Sequence, residues 1–82
     1  MKERLSYRKL ADGGILYDGK SRQVHHLNAT AAFVWEQCQK GNIVSEIVEN
    51  MCSKFEVKTK LARDDLKTIL RDFSEADLFA DE

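Results

Sequence analysis

The sequence predicts an α+β fold, in which a small β-meander comes first and three helices follow it. Two observations support this order. Short runs of β-forming residues alternate with Asp-Gly turn signals between residues 5 and 27. From residue 29 onward, apolar residues recur instead at the three- and four-residue spacing of amphipathic helices. The sequence contains no proline that would interrupt those helices.

Two or three strands are expected in the meander. Leu5–Leu10 is an irregular candidate, whereas Ile15–Tyr17 and Gln23–Leu27 consist of better β-formers. Turns are expected at Asp12–Gly14 and at Asp18–Ser21, because Asp-Gly steps tolerate the positive φ of tight turns. A sequential meander of this kind leaves its last strand at the edge of the sheet, with unpaired backbone groups.

The first two helices are delimited by cap residues. Asn28 and Asn42 are the predicted N-caps, since an asparagine side chain can accept a hydrogen bond from the first turn. Gly41 is predicted to end the first helix as a C′ glycine, and Trp35 to anchor its core face. The second helix has the most regular apolar pattern, which consists of Ile43, Val44, Ile47, Val48, Met51, Cys52 and Phe55.

The third helix is predicted to run from Thr59 to about Glu75. Arg63, Lys67 and Arg71 follow one another at four-residue intervals and form a basic ridge along one border of its apolar stripe. Two interpretations of the ridge are open: it meets acidic groups of a partner, or its long side chains only snorkel beside a buried stripe. The stripe itself consists of Ala62, Leu66, Ile69, Leu70 and Phe73.

Length and composition limit the possible functions. The 82 residues suffice for a single domain over residues 1–82, and we expect Leu78 and Phe79 to fold back over the end of its core. The net charge of −1 argues against a binder that relies on phosphate neutralisation. The sequence has no apolar run that could span a bilayer and few cysteines, so we expect a cytoplasmic protein.

Few residues are arranged for chemistry. His25 and His26 are neighbours on a strand, so they point to opposite faces and cannot chelate one metal ion as a pair. Cys38 and Cys52 lie on the apolar faces of different helices, without the C-x-x-C spacing typical of zinc sites. Neither a glycine-rich phosphate loop nor paired catalytic carboxylates are apparent. We therefore expect no cofactor, no metal ion and no catalytic site.

The predicted edge strand Gln23–Leu27 has two interpretations. An extended peptide could add to it, with backbone hydrogen bonds for affinity and neighbouring side chains for selection. Alternatively, the edge is short and is protected by its polar residues. The residue pattern alone slightly favours the second interpretation.

Several stretches together resemble the PqqD family, named for coenzyme PQQ synthesis protein D. The family pattern is a strand-turn-strand ending in Leu-Asn, an Ala-rich helix with a Trp, a Gly, a Glu-Ile-Val helix and a last helix with an Asp-apolar pair. Asp77 stands where the pattern commonly has glycine, and Lys58 where many relatives have a good helix cap. The matching elements, within residues 13–79, are Leu27-Asn28, Thr30-Ala31-Ala32, Trp35, Gly41, Glu46-Ile47-Val48 and Asp65-Leu66.

The resemblance implies a winged-helix-like fold, with a three-stranded antiparallel β-meander followed by a three-helix bundle. It also implies a non-catalytic module that captures the leader of a ribosomally synthesised precursor peptide and presents it to a modifying enzyme, often a radical-SAM protein. The leader would add as a strand in a groove between the edge strand and the third helix. The peptide-binding residues that this implies are Gln23, Val24, His25, His26, Leu27, Arg63, Leu66, Lys67, Leu70 and Arg71.

Two other functions are open. One is a winged-helix domain that binds nucleic acid or protein through its third helix; the basic ridge is compatible with it, but Asp64, Asp65, Asp72 and the overall charge are unfavourable. The other is a structural subunit that only dimerises or stabilises a partner. We expect a precursor peptide and its modifying enzyme as partners, neither nucleic acid nor membrane, and a monomer or homodimer.

Overall fold

The computed structural model describes residues 4–78, in which three strands precede three helices. The predicted α+β class is therefore confirmed. None of the helices within these residues is long and apolar enough to cross a membrane. The chain divides within its first helix, after Phe33, into two compact units that are described in turn. The elements are β1 (Leu5–Leu10), β2 (Gly13–Asp18), β3 (Gln23–Asn28), α1 (Ala29–Gln39), α2 (Val44–Phe55) and α3 (Thr59–Glu75).

The sheet is a sequential antiparallel meander with β2 at its centre. β1 pairs with β2 over its full length, from Leu5 opposite Asp18 to Leu10 opposite Gly13. The irregular first segment is therefore a true strand. β3 pairs with β2 on one side and has no strand on its other side within the described residues, which confirms the predicted edge position.

The predicted turn before β2 exists but lies at residues 11–12, because Gly13 and Gly14, which were expected within it, already belong to the strand. Both glycines are needed for space. A Cβ atom at Gly13 would overlap the carbonyl oxygen of Leu27, and one at Gly14 would lie 2.6 Å from the ring of Tyr7. These glycines therefore mark the close approach of both neighbouring strands to β2 rather than a change of chain direction.

The second turn is organised around the buried carboxylate of Asp18. Its Oδ1 accepts hydrogen bonds from the backbone N–H of Lys20 at 2.9 Å and of Ser21 at 3.4 Å. The same oxygen lies 3.3 Å from Nε of Arg4. The backbone N–H of Arg22 donates to the Asp18 carbonyl oxygen at 2.7 Å. One residue thus ties the chain before β1 to the turn that leads into β3.

The charge state of Asp18 follows from these contacts. Desolvation by burial would raise the pKa of its carboxyl group. The hydrogen bonds from Lys20 and Ser21 and the positive charge of Arg4 act in the opposite direction and outweigh it, so the pKa lies below its ordinary value. Asp18 is therefore a carboxylate at neutral pH.

The sheet has a buried face and an exposed face. On the buried face Tyr7, Leu16 and His25 lie opposite one another across the three strands, and Leu16 is 0% exposed. Strand alternation places the other set of side chains on the exposed face. That set consists of Ser6, Arg8, Leu10, Ile15, Tyr17, Val24, His26 and Asn28.

Both predicted caps of α1 are confirmed. The Oδ1 atom of Asn28 accepts a hydrogen bond from the backbone N–H of Ala31 at 2.8 Å. Gly41 follows the helix with a φ of 82°. The backbone N–H of Asn42 then donates to the carbonyl oxygen of Gln37 at 3.2 Å, which is the bond expected of a Schellman motif.

The predicted cap of α2 is wrong, because Ile43 rather than Asn42 precedes the helix. Isoleucine has no oxygen to offer, and Glu46 instead accepts a hydrogen bond from the Ile43 backbone N–H at 2.9 Å. The Asn42 side chain donates to Oε1 of the buried Gln37 at 2.7 Å, and the Asn50 side chain donates to the same oxygen at 2.6 Å. The Gln37 amide thus connects the end of α1 to α2.

The helical unit has an apolar core. Trp35 is buried and meets Phe73 edge to face, with ring centroids 5.6 Å apart, so the predicted anchor is confirmed. The predicted stripe of α2 is buried only in part, because Ile43 and Val44 at its start are 63% and 54% exposed. Phe79 lies outside the described residues. The buried apolar residues of the unit are Val34, Trp35, Ile47, Val48, Met51, Ala62, Leu66, Phe73 and Leu78.

Two helices end on a non-glycine residue in the left-handed conformation. Glu56, after α2, has a φ of 54°, and Asp77, after α3, has a φ of 63°. This conformation is the physical reason for the glycine that the PqqD pattern commonly has at the position of Asp77. Lys58, before α3, makes no side-chain cap hydrogen bond. The backbone is therefore strained at the ends of α2 and α3, and the start of α3 lacks a side-chain cap.

Replacing Glu56 with glycine should stabilise the protein, because glycine adopts the left-handed backbone without a steric penalty. We expect the free energy of unfolding, measured by urea denaturation, to rise by about 0.5–1 kcal/mol, the relieved strain less the entropy gained by the unfolded chain. Glu49→Gly, at an exposed position within α2, is the matched control and should lower that free energy by about 1 kcal/mol. Equal losses in both variants would contradict this explanation.

The stabilisation by Asp18 should depend on pH. Since its pKa is lowered in the folded state, this stabilisation is present above the unfolded-state pKa of about 4 and is lost as the pH falls through the folded-state pKa. Asp18→Asn should lower the urea midpoint at neutral pH, and its difference from the wild type should narrow in acid. Asp64→Asn, an exposed site on α3, makes the same charge change as a control. A difference for Asp18→Asn that is constant across pH would contradict the assigned role.

Candidate functional site

β3 offers an open strand edge. Alternate residues on such an edge direct their backbone N–H and C=O groups away from the sheet, where an added strand can pair with them. The six residues of β3 include no Lys, Arg, Asp, Glu or Pro. β1, the other edge, contains Arg8 and Lys9. Because charged residues discourage pairing at a sheet edge, β3 is the better receptor for an extended peptide.

The predicted residues on β3 divide between the two faces of the sheet. Val24 and His26 are exposed on one face, and His25 and Leu27 are half-buried on the other. Gln23, at the start of the strand, is exposed. The Nε2 atom of His25 is buried and has no hydrogen-bond partner in the part of the chain that the structure describes. An added strand would therefore find Val24 and His26 as its accessible neighbours.

The basic ridge forms as predicted on α3. Arg63, Lys67 and Arg71 are exposed on successive turns of the helix. Lys60, absent from the predicted set, is also exposed and extends the ridge toward the start of the helix. The sequence could have placed Lys60 on this ridge, because it precedes Arg63 by three residues and residues three or four apart share one face of a helix.

The two predicted leucines of α3 differ in accessibility. Leu66 is 2% exposed, so its side chain belongs to the interior. Leu70, one turn later, is half-buried. On the helix it lies three residues after Lys67, at the border between the apolar stripe and the basic ridge. Leu70 is therefore the leucine of this pair that a partner can reach.

Cys38 lacks the surroundings of a reactive thiol. Cys38 and Cys52 are half-buried and form no disulfide. Burial raises the pKa of the Cys38 thiol, which makes it a weaker nucleophile at neutral pH. The Cys52 sulfur lies 3.8 Å from the hydroxyl oxygen of Thr59. Within residues 4–78, no three His, Cys, Asp or Glu side chains are grouped so as to hold a metal ion.

Solved structures of two proteins have the same fold as this chain. TbiB1 in complex with the TbiA(beta) leader peptide is 22% identical, with a TM-score of 0.84, and the match covers 98% of this chain and 96% of that chain. Lasso peptide synthetase B1 complexed with the leader peptide is 24% identical, with a TM-score of 0.80 and coverages of 92% and 88%. No curated protein matches this chain in sequence.

A family model gives the assignment. The model for coenzyme PQQ synthesis protein D (PqqD) matches residues 13–78. The matched part comprises β2, β3 and all three helices, so it includes both the open edge and the basic ridge. Because the match extends over most of the sequence, the chain belongs to the PqqD family, as its residue pattern predicted.

Proposed function

We propose that this chain captures the leader of a ribosomally synthesised precursor peptide and presents it to a modifying enzyme. The observation that carries the proposal is the open, uncharged edge of β3. Membership of the PqqD family supports it, as does the similarity to two structures that are themselves leader-peptide complexes. The bond-making chemistry belongs to the partner, for example a radical-SAM enzyme, in the cytoplasm where the precursor is made.

The first step of this function is strand addition. The leader lies extended along β3 and pairs with the backbone groups of every second residue of that strand. Each backbone hydrogen bond contributes about 0.5–1.5 kcal/mol net, so a few of them give a weak but largely sequence-independent grip. Side chains then provide selectivity, and Val24, His26 and Asn28 are the accessible ones on the exposed face of β3.

The second contact is electrostatic. The basic ridge and Lys60 place four exposed cations along α3, although the net charge of the whole chain is −1. Such a local row of one sign accelerates the association of an acidic partner and rejects a basic one. Leu70 beside the ridge adds an apolar contact. We therefore propose that the preferred leaders carry acidic residues next to an apolar side chain.

The same helix weighs against nucleic-acid binding. Asp64, Asp65 and Asp72 are all exposed on α3, and Asp64 lies next to the basic ridge on the helix surface. Carboxylates in these places would repel a phosphate backbone that the ridge attracts. A peptide with its charges at defined positions fits this mixed surface better.

Backbone N-methylation of the peptide tests the strand addition. The probe is a synthetic leader segment of a precursor peptide, chosen by searching the reading frames around this gene and methylated at one nitrogen at a time. Methylation at alternate residues should weaken binding about tenfold, because each blocks an N–H that donates to β3. Methylation at the intervening residues should change little. Dissociation constants from calorimetry give the pattern, and similar losses at every residue would refute strand pairing.

Charge reversal at Lys67 tests the basic ridge. Lys67→Glu should weaken leader binding about tenfold, since it removes an attraction and adds a repulsion at the centre of the ridge. Lys40→Glu makes the same charge change at an exposed residue after α1 and should bind the leader like the wild type. The affinities come from NMR titration of the labelled protein. If both variants bind equally well, the ridge is solvated surface and has no part in recognition.

A further inference from the structure

The exposed face of the sheet carries a sheet-face cluster of apolar side chains: Leu10, Ile15, Tyr17 and Val24. Tyr17 and Val24 lie opposite each other on β2 and β3 and are 43% and 52% exposed. Ile15 is half-buried two residues before Tyr17, and Leu10 is 37% exposed on β1. Neighbouring apolar side chains on an exposed sheet face are typical of surfaces that bind another protein.

Charge on this face has one sign. Arg8, Ile15 and His26 lie opposite one another across the three strands, so a guanidinium and an imidazole flank the sheet-face cluster. Asp18 is the one acidic residue of the described strands, and it lies in the set that belongs to the buried face. The face therefore combines an apolar centre with one charged side chain, the basic Arg8, at its border.

We infer that the exposed face of the sheet is the docking surface for the modifying enzyme, on a region of that enzyme whose apolar side chains are bordered by carboxylates. The inference rests on the proposed function, since a module that captures a leader must also meet the enzyme. A second copy of this chain fits less well, because a two-fold interface through this face would enclose the Arg8 guanidinium groups of both copies with no strand carboxylate on that face to pair with them.

The location of this face explains how a captured leader is presented. A leader strand added to β3 extends the exposed face by one strand, and every second leader side chain lies on it next to Val24 and His26. An enzyme docked there contacts the module and the leader together. The loaded module therefore binds the enzyme more tightly than the empty one, and by linkage the enzyme raises the affinity of the module for the leader.

The test uses variants on β1 and β2, the strands that the leader does not join. The probe is a purified peptide-modifying enzyme, chosen by searching the reading frames around this gene and titrated with the leader-loaded module. Arg8→Glu and Tyr17→Ser should each weaken enzyme binding about tenfold or more, with leader affinity unchanged. Lys9→Glu, the neighbouring residue in the other alternation set of β1, controls for the charge, and Leu61→Ser, an exposed site on α3, for the apolar truncation.

Each outcome supports or overturns the inference. Enzyme affinities of Arg8→Glu and Tyr17→Ser that equal those of their controls would overturn it, as would a dimer in light scattering that Tyr17→Ser abolishes. Arg8→Gln, which removes the charge without reversing it, should give a smaller loss in the same direction. Leader binding is measured separately, so a wild-type chain that binds no leader would refute the proposed function itself, whereas normal leader binding with unaffected docking refutes this inference alone.

Discussion

The buried carboxylate of Asp18 determines which side chains the sheet presents. It is held by the turn that leads into β3 and by Arg4 next to β1, so it fixes the register of β2 against both neighbours. A shift of one residue in a strand exchanges its two faces. Such a shift in β3 would bring His25 to the exposed face and take Val24 from it. The identity of the accessible edge residues thus depends on an interaction outside the edge strand itself.

Elements with strong local signals were predictable from the sequence. The limits of α3 are the predicted ones, because its apolar stripe is regular from end to end. The start of α2 was not predictable: Asn42 is a good cap by type, but its side chain is engaged by Gln37, a partner that no local pattern reveals. Gly13 and Gly14 have the sequence of a turn, whereas the close approach of Tyr7 and of β3 explains them.

In the candidate site too, some features follow from local sequence signals and others depend on tertiary packing. The open edge of β3 follows from strand order alone, since the last strand of a sequential meander lies at the edge. The accessibility of individual side chains does not follow from the sequence pattern. Leu66 and Leu70 belong to one stripe, yet tertiary packing buries Leu66 and leaves Leu70 half-buried. Tyr17 becomes the neighbour of Val24 only through the register of the sheet. Residue type and spacing therefore predict the strand and the helix, and packing selects the side chains.

The difference in charge between the two edges of the sheet also limits self-assembly. If both edges accepted strands, β1 of one molecule could add to β3 of the next, and a head-to-tail contact of this kind repeats without closing. Arg8 and Lys9 oppose that repeat, because pairing at β1 would crowd and partly desolvate two neighbouring cations. A strand from another chain can therefore add to the sheet at β3, whereas the cations of β1 discourage addition there. Under the proposed function, one edge of the sheet stays open for a peptide, and the cations on the other edge keep the protein from becoming the repeating unit of a fibre.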